Sequence, residues 1–231
     1  MIRRVISLIA VMVLMGTGWA YAEKAKAAVV APAAAVAPAA AVVPAAEELT
    51  LVGRPAKFVE KIFCVYSDYR NRENHFIPSG WMGDYSDIKM NENWKEKPQA
   101  GKTCLKFSYT AEGKQGANWA GIFWQNPANN WGEVKGGFDL RGATKLTFWA
   151  RGEKGGERLM EFKVGGIGGS YSDSGSASIG PLDLTAEWQK FEIDLKDVDL
   201  SYISGGFCWV TSADANPEGA EFYIDEIRFE Q

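Results

Sequence analysis

Short runs of apolar residues, broken by Gly, Asn, Asp and Pro, recur along the chain from about residue 58 onward. In residues 103–110, Leu105, Phe107 and Tyr109 alternate with more polar neighbours, which predicts a strand with one buried face. Seven further runs alternate in this way or are fully apolar, and they predict strands at 58–67, 119–125, 144–151, 159–165, 189–195, 206–211 and 221–230. We find no apolar stripe of period 3.6 over a helical length, so the pattern predicts an all-β fold, a two-sheet antiparallel β-sandwich.

The first 22 residues have the layout of a secretion signal. Two arginines precede an apolar run over residues 5–15, and Ala20-Tyr21-Ala22 supplies the small residues that signal peptidase recognises. The run is shorter than the ~20 apolar residues that span a bilayer, so we expect cleavage after Ala22 and no membrane span afterwards. A retained membrane anchor is the alternative. The pattern predicts a protein that is secreted, periplasmic or on the cell surface.

Residues 23–47 predict a spacer. They are mostly Ala, Val and Pro, and Pro32, Pro38 and Pro44 stand six residues apart. Each proline removes a backbone donor, which argues against the alternative of an alanine-rich helix. We therefore expect an extended linker that separates the β-sandwich domain, residues 48–231, from a membrane, a wall or another module.

Charge and histidine content exclude several functions. Without Arg3 and Arg4 of the signal segment, the chain has 23 basic and 29 acidic side chains, and a net charge of −6 predicts no nucleic-acid binding. The single histidine, His75, excludes a three-histidine zinc site and an H-E-x-x-H helix. We expect no enzyme. A jelly-roll glycosidase is the alternative, with candidate carboxylates at Glu133, Glu161 and Asp84.

Three cysteines, Cys64, Cys104 and Cys208, allow at most one internal disulfide. An exported protein meets an oxidising compartment, and if a bridge forms we expect it between Cys104 and Cys208. The alternative is that all three are small buried side chains, because each lies in an apolar, strand-like segment.

Three segments resemble the galactose-binding-like jelly rolls that include many carbohydrate-binding modules. FDLRGATKLTFWARG at 138–152 resembles the D-L-S-G and L-x-F-W strand of these modules. EWQKFEIDL at 187–195 resembles their W-x-x-x-x-I-D-L strand, and FYIDEIRF at 222–229 resembles their closing F-Y-I-D-D-I strand. The resemblance covers about half of the domain and implies a jelly-roll sandwich.

Asp225 shares its face of the last strand with Tyr223 and Ile227, so its carboxylate needs a partner near the core. The resemblance implies that this aspartate helps to hold a structural calcium ion, to which Glu60 or Asp68 could contribute. A salt bridge to an arginine or hydrogen bonds from backbone N–H groups are the alternatives.

Sugars lay their C–H faces on aromatic rings and offer hydroxyls to polar neighbours. Three segments, around residues 79–87, 124–132 and 165–176, combine Trp or Tyr with Asn, Gln, Asp or Ser. The predicted ligand-binding residues are Trp81, Asp84, Tyr85, Trp124, Gln125, Asn126, Asn130, Trp131 and Tyr171. Trp149, Trp188 and Trp209 are predicted to be core, and core packing is also the alternative for Trp81, Trp124 and Trp131.

These features predict a non-catalytic module that binds a polysaccharide or another glycan. Tryptophan and tyrosine also dominate protein interfaces, so an envelope structural or adaptor domain with a protein partner is the alternative.

Overall fold

The structure, a computed structural model, describes residues 62–231. The strands in this part of the chain are β1 (Ile62–Tyr66), β2 (Ile77–Gly83), β3 (Ile88–Trp94), β4 (Cys104–Tyr109), β5 (Trp119–Gln125), β6 (Lys145–Gly152), β7 (Arg158–Leu159), β8 (Glu161–Gly165), β9 (Ser176–Ile179), β10 (Leu182–Asp183), β11 (Gln189–Asp194), β12 (Gly205–Ser212) and β13 (Ala220–Glu230). A single 3₁₀ turn, Tyr85–Asp87, separates β2 from β3.

The strands form two antiparallel sheets. The six-stranded sheet has the order β11-β6-β13-β4-β3, and β1 pairs with the last residues of β13. The five-stranded sheet has the order β2-β5-β12-β8-β9. The short strands β7 and β10 pair with each other in a separate ribbon.

Alternating side chains of both sheets meet in one core. The ring of Phe107 in β4 lies 5.0 Å from that of Trp209 in β12, and the ring of Phe148 in β6 lies 5.2 Å from that of Phe207 in β12. These four side chains are fully buried, and each contributes on the order of 1.5–3 kcal/mol by burial. The predicted fold class, a two-sheet antiparallel β-sandwich, is confirmed.

The eight predicted runs each contain a strand, although the run at 159–165 is interrupted at Met160 between β7 and β8. Four strands were not predicted from the sequence: β2, β3, β9 and β10. Three of them lie at sheet edges, where polar and small side chains blur the alternation. Pro78 in β2 is tolerated because an edge strand has one unpaired side.

Two of the three tryptophans predicted to be core lie elsewhere. Trp209 is fully buried, which confirms its prediction, but Trp149 and Trp188 are only half-buried. Trp149 neighbours the core residue Phe148 in β6, so it points to the opposite, outer face of the sheet. Trp188 precedes β11, and its indole N–H donates to the carbonyl oxygen of Lys97 at 3.0 Å.

Cys104 and Cys208, the pair expected if a bridge forms, are not joined in the structure. Cys104 neighbours the core residue Leu105, so it faces outward from the six-stranded sheet, whereas Cys208 neighbours Trp209 and faces outward from the five-stranded sheet. Packed sheets lie about 10 Å apart, and the two thiols are on the far sides of that layer. Both are free and buried, as the alternative interpretation held for them, whereas Cys64 is only half-buried.

The predicted signal segment at 1–22, the spacer at 23–47 and Glu60 lie outside the described residues. Within residues 62–231, no helix is long and apolar enough to cross a membrane.

Candidate ligand-binding face

The outer surface of the five-stranded sheet, which we call the five-strand face, carries an apolar strip along β5. Ile122 and Trp124 belong to the core, so the residues that alternate with them point outward. These outward residues are Trp119, Gly121, Phe123 and Gln125.

Side chains from two neighbouring strands close over the glycine of this strip. A methyl group at Gly121 would lie 3.1 Å from Cγ2 of Val210 in β12 and 3.2 Å from Cε of Met82 in β2. Phe123 packs beside them with Cys208, and Met82 and Val210 border that cluster. The middle of the five-strand face is therefore apolar, and no side chain projects from it at Gly121.

Exposed indoles stand at the two ends of the strip. Trp119 is 39% exposed at the start of β5, and Trp131 is 42% exposed in the loop that follows β5. The ring of Trp131 lies 6.3 Å from that of Phe123, at an interplanar angle of 88°. Trp119 and Phe123 are four residues apart on one strand, which is roughly 13 Å. Two indole rings thus bracket an apolar strip on the same face.

The loop that carries Trp131 is held by Asn130. This side chain is buried, and its Oδ1 accepts hydrogen bonds from the backbone N–H groups of Gly132, Glu133 and Val134 at 3.1–3.2 Å. Gln125, also buried, donates from Nε2 to the carbonyl oxygen of Asn130 at 3.0 Å. Asn130 and Gln125 therefore position Trp131, which corrects their assignment as ligand-contacting residues.

A second loop packs against the Trp131 loop. Gly132 has a φ of +83°, and a side chain there would overlap the carbonyl of Gly168. The backbone N–H of Tyr171 donates to the carbonyl oxygen of Gly132 at 2.9 Å. Tyr171 is 43% exposed, so this predicted residue lies beside the Trp131 loop with an accessible ring.

Asn126 is half-buried, and both ends of its amide are used within the protein. Its Nδ2 donates to the carbonyl oxygen of His75 at 3.1 Å, and its Oδ1 accepts from the N–H of Gly137 at 3.2 Å. It thus ties the start of the Trp131 loop to the rest of the domain.

Trp124 is 1% exposed and packs in the core, where its ring lies 5.4 Å from that of Phe207. Its assignment to a ligand surface is corrected by this burial. The Trp124 side chain has the opposite parity to Trp119 on β5, and parity decides which indole reaches solvent.

Asp84 is buried and anchors the loop that leads into Trp119. Its carboxylate accepts hydrogen bonds from the backbone N–H groups of Gln115, Ala117 and Asn118 at 2.6–3.0 Å. The N–H of Ala117, together with those of the other two residues, holds the pKa of Asp84 below its usual range. Asp84 therefore positions Trp119, which corrects its assignment as a ligand contact and as a catalytic carboxylate.

Trp81 and Tyr85 are exposed but lie away from the strip. Trp81 pairs with Ile122 across β2 and β5, so it shares the side of the sheet that faces the core and is uncovered only because β2 is an edge strand. Tyr85 is 49% exposed in the 3₁₀ turn. The structure does not bring these two rings together with Trp131 on the five-strand face.

The polar border of the five-strand face comes from β8 and β9. Glu161 pairs with Val210, and Lys163 pairs with Cys208, so both point outward beside the apolar strip. Ser178 pairs with Lys163 and continues the polar border. These side chains can donate to and accept from ligand hydroxyls.

The carboxylate of Asp225 accepts hydrogen bonds from backbone N–H groups. Its Oδ2 accepts from the N–H groups of Gln99 and Ala100 at 2.9 and 3.2 Å, and its Oδ1 accepts from Glu226 at 2.9 Å. Within residues 62–231, no group of three or more His, Cys, Asp or Glu side chains could hold a metal ion. These contacts fit the hydrogen-bonded alternative better than a calcium ion, and calcium stays a prediction.

Comparisons with known proteins give a likeness of fold. No family model and no curated protein matches the chain. A family 30 carbohydrate-binding module of a cellulosomal cellulase of Clostridium thermocellum is similar, with 15% identity and a TM-score of 0.49, over 72% of this chain and 95% of that chain.

Two further solved structures are similar at lower TM-scores. A family 11 module from Clostridium thermocellum, in complex with a β-1,3-1,4-mixed-linked tetrasaccharide, has 13% identity and a TM-score of 0.45, over 67% of this chain and 89% of that chain. A family 29 module has 11% identity and a TM-score of 0.44, over 74% and 92%. All three of these proteins are carbohydrate-binding modules.

Proposed function

We propose that this chain is an exported, non-catalytic module that binds a glycan on the five-strand face. The observation that carries the proposal is the pair of exposed indoles, Trp119 and Trp131, at the two ends of one apolar strip. Aromatic rings in line accept successive sugar rings of a chain, because each sugar ring has an apolar C–H face.

The polar border fits the same ligand. Glu161 and Lys163 flank the strip with one acceptor group and one donor group, and the hydroxyls around a sugar ring need both. The face is open, so a bound chain keeps one side in water and the expected affinity is modest. Support for the non-catalytic role comes from Asp84, whose carboxylate is consumed by three backbone N–H groups.

Single substitutions in the purified full chain test this proposal on a panel of insoluble polysaccharides and on a glycan array. We expect Trp119→Ala and Trp131→Ala each to weaken binding about tenfold, because each removes a stacking platform. Trp81→Ala is the matched control: it removes an equally exposed indole that lies off the five-strand face. Thermal melts verify that all three variants are folded.

Binding that survives both Trp119→Ala and Trp131→Ala would contradict the proposed face, and so would an equal loss in Trp81→Ala. Release of reducing sugar from the bound polysaccharide would contradict the non-catalytic role. If the panel shows no glycan binding and cross-linking in the native envelope instead captures one protein through Trp119 or Trp131, the adaptor alternative is correct.

A further inference from the structure

A cavity of about 370 Å³ opens on the outer face of the six-stranded sheet, on the opposite side of the sandwich from the five-strand face. We call it the six-strand cavity. Its walls include Trp94, Lys106, Arg151, Glu153 and Tyr223, and its rim includes Glu96, Lys97, Ala186 and Glu187. The volume lies in the range of small-molecule sites.

Aromatic rings and cations alternate across the strands beneath this cavity. Nζ of Lys106 lies 4.4 Å from the centre of the Trp94 ring and 5.6 Å from that of Tyr223. Cζ of Arg151 lies 3.7 Å from the centre of the Tyr223 ring and 5.3 Å from that of Trp188. The row follows the register of the sheet, in which Lys106 and Arg151 both pair with Tyr223. The rings attract these cations and hold them in place along the wall of the cavity.

Two donors of the cavity wall lack an acceptor. Nε1 of Trp94 and Nε of Arg151 are buried and have no hydrogen-bond partner among the described residues. Arg151 as a whole is 8% exposed. A buried donor without an acceptor is costly, about 1–3 kcal/mol, so the unpartnered N–H groups mark a place for ligand oxygen atoms.

The acceptors close to these donors are already engaged. Oε2 of Glu153 accepts from the hydroxyl of Tyr223 at 2.7 Å, and that hydrogen bond lowers the pKa of Glu153. Lys106 has one ion pair, to Glu221 at 3.3 Å. Nη1 of Arg151 lies 3.8 Å from Oε2 of Glu153 and donates to the carbonyl oxygen of Gly152 at 3.3 Å, so the donor of Arg151 that still needs an acceptor is Nε. The exposed Glu96 and Glu187 at the rim can receive ligand hydroxyls.

We propose that the six-strand cavity is a second binding site, which takes the carboxylate of an acidic sugar such as a uronic acid. The carboxylate lies between Arg151 and Lys106 and supplies the missing acceptors, and the rim glutamates accept the sugar hydroxyls. A carboxylate is favoured over a neutral hydroxyl because charge-assisted hydrogen bonds to a guanidinium are about twice as strong. This site does not depend on the proposed function of the five-strand face.

Calorimetric titration of the full chain with trigalacturonate tests the proposal, and the methyl ester of the same trisaccharide is the matched ligand without charge. We expect the free acid to bind at least tenfold more tightly than the ester, and the preference to shrink at high salt. We expect Arg151→Gln and Lys106→Met each to weaken binding of the acid at least tenfold.

Trp94→Phe keeps an aromatic ring and removes the indole N–H together with the five-membered ring, so it tests the site even if Arg151→Gln fails to fold. We expect it to weaken trigalacturonate binding, because the ligand loses one donor, and thermal melts verify that the variant is folded. Trp119→Ala is the control on the other face, and we expect it to leave trigalacturonate binding unchanged.

Equal binding of acid and ester would overturn the proposal, as would no binding of either. Binding of the acid that is lost in Trp119→Ala but kept in Arg151→Gln and Trp94→Phe would place the acidic sugar on the five-strand face and overturn it too. If no neutral glycan binds in the earlier panel, the proposed function of the five-strand face is refuted, but the trigalacturonate result is unaffected. The two proposals can therefore be refuted independently.

Discussion

Asp225 makes the stability of the sandwich depend on pH in an unusual direction. Its side chain is fully buried, and burial raises its pKa to about 7, although the N–H groups of Ala100 and Gln99 act to lower it. Nearby Asp68 raises the pKa further and Arg228 lowers it. In the unfolded chain an aspartate titrates near pH ~3.9, so the folded state binds the proton more tightly.

The sign and size follow from proton linkage. A group whose pKa is raised by folding stabilises the protein fully below its unfolded pKa, and that contribution is lost as the pH rises through its folded pKa. The folded and unfolded pKa values of Asp225 differ by about three pH units, and each unit corresponds to ~1.36 kcal/mol of unfolding free energy. Asp225 is therefore expected to cost about 4 kcal/mol at pH 8 relative to pH 4. The total free energy of unfolding of a small domain is only about 5–15 kcal/mol.

Asp225→Asn isolates this effect, because the amide stays neutral at every pH. Urea unfolding of wild type and Asp225→Asn at steps between pH 4 and pH 8 gives the difference in unfolding free energy. We expect this difference to move in favour of the variant by about 4 kcal/mol as the pH rises. A constant cost of replacing one carboxylate oxygen by an amide group shifts the curve but does not change its slope.

Asp84→Asn is the control with the opposite sign. The pKa of Asp84 is lowered by backbone N–H groups, so its contribution is present above the unfolded pKa and is lost as the pH falls below about 4. The Asp84→Asn difference is therefore expected to be flat between pH 5 and pH 8. A flat difference for Asp225→Asn over the same range would refute the inference that its carboxyl is protonated preferentially in the folded state.

Two further predictions concern the ligand face and export. Asn130→Ala removes four side-chain hydrogen bonds from the Trp131 loop and is expected to weaken glycan binding several-fold, although Asn130 itself does not contact the glycan. Binding equal to wild type would show that the loop holds Trp131 without Asn130. Cleavage after Ala22 gives a mature protein that begins at Glu23, and mass spectrometry of the protein from its native source detects this end; retention of residues 1–22 would support the membrane-anchor alternative.

Much of the fold could be predicted from the sequence because apolar and polar residues alternate clearly along the inner strands. Leu105, Phe107 and Tyr109 occupy every second position of β4, and the structure buries all three. The edge strand β3 also alternates, but its polar positions outnumber the apolar ones, so the run escapes a search for apolar residues. Edge strands are selected to be polar because an apolar edge would pair with other chains.

The candidate face could be predicted less well, because both sides of β5 are apolar. Trp119 and Phe123 have one parity and Ile122 and Trp124 have the other, so the composition of the strand does not say which set meets the second sheet. The answer depends on the pairing of β5 with β12, which sequence alone does not fix. Trp119 was missed for this reason, and Trp124 was chosen in its place.

The polar residues near Trp131 were recognised, but their role was not. Asn130 and Gln125 look like ligand contacts because amides bind hydroxyls well, yet both side chains hydrogen-bond to the backbone of the loop and hold it. A local signal exists for Asn130: an asparagine followed by a Gly two residues later is typical of a side chain that caps its own backbone. A side-chain amide can hydrogen-bond to sugar hydroxyls and equally to the backbone of a turn, so its residue type does not distinguish the two roles.

The position of β13 bears on how such a chain is made. This strand is the last of those described along the chain, yet it lies between β6 on one side and β4 with β1 on the other. β6 and β4 join into one sheet only through β13, so this sheet closes by contacts between segments that are far apart in the chain. Because β13 is synthesised long after β4, the edge of β4 that it covers stays unpaired in the interval and is exposed to pairing with other chains.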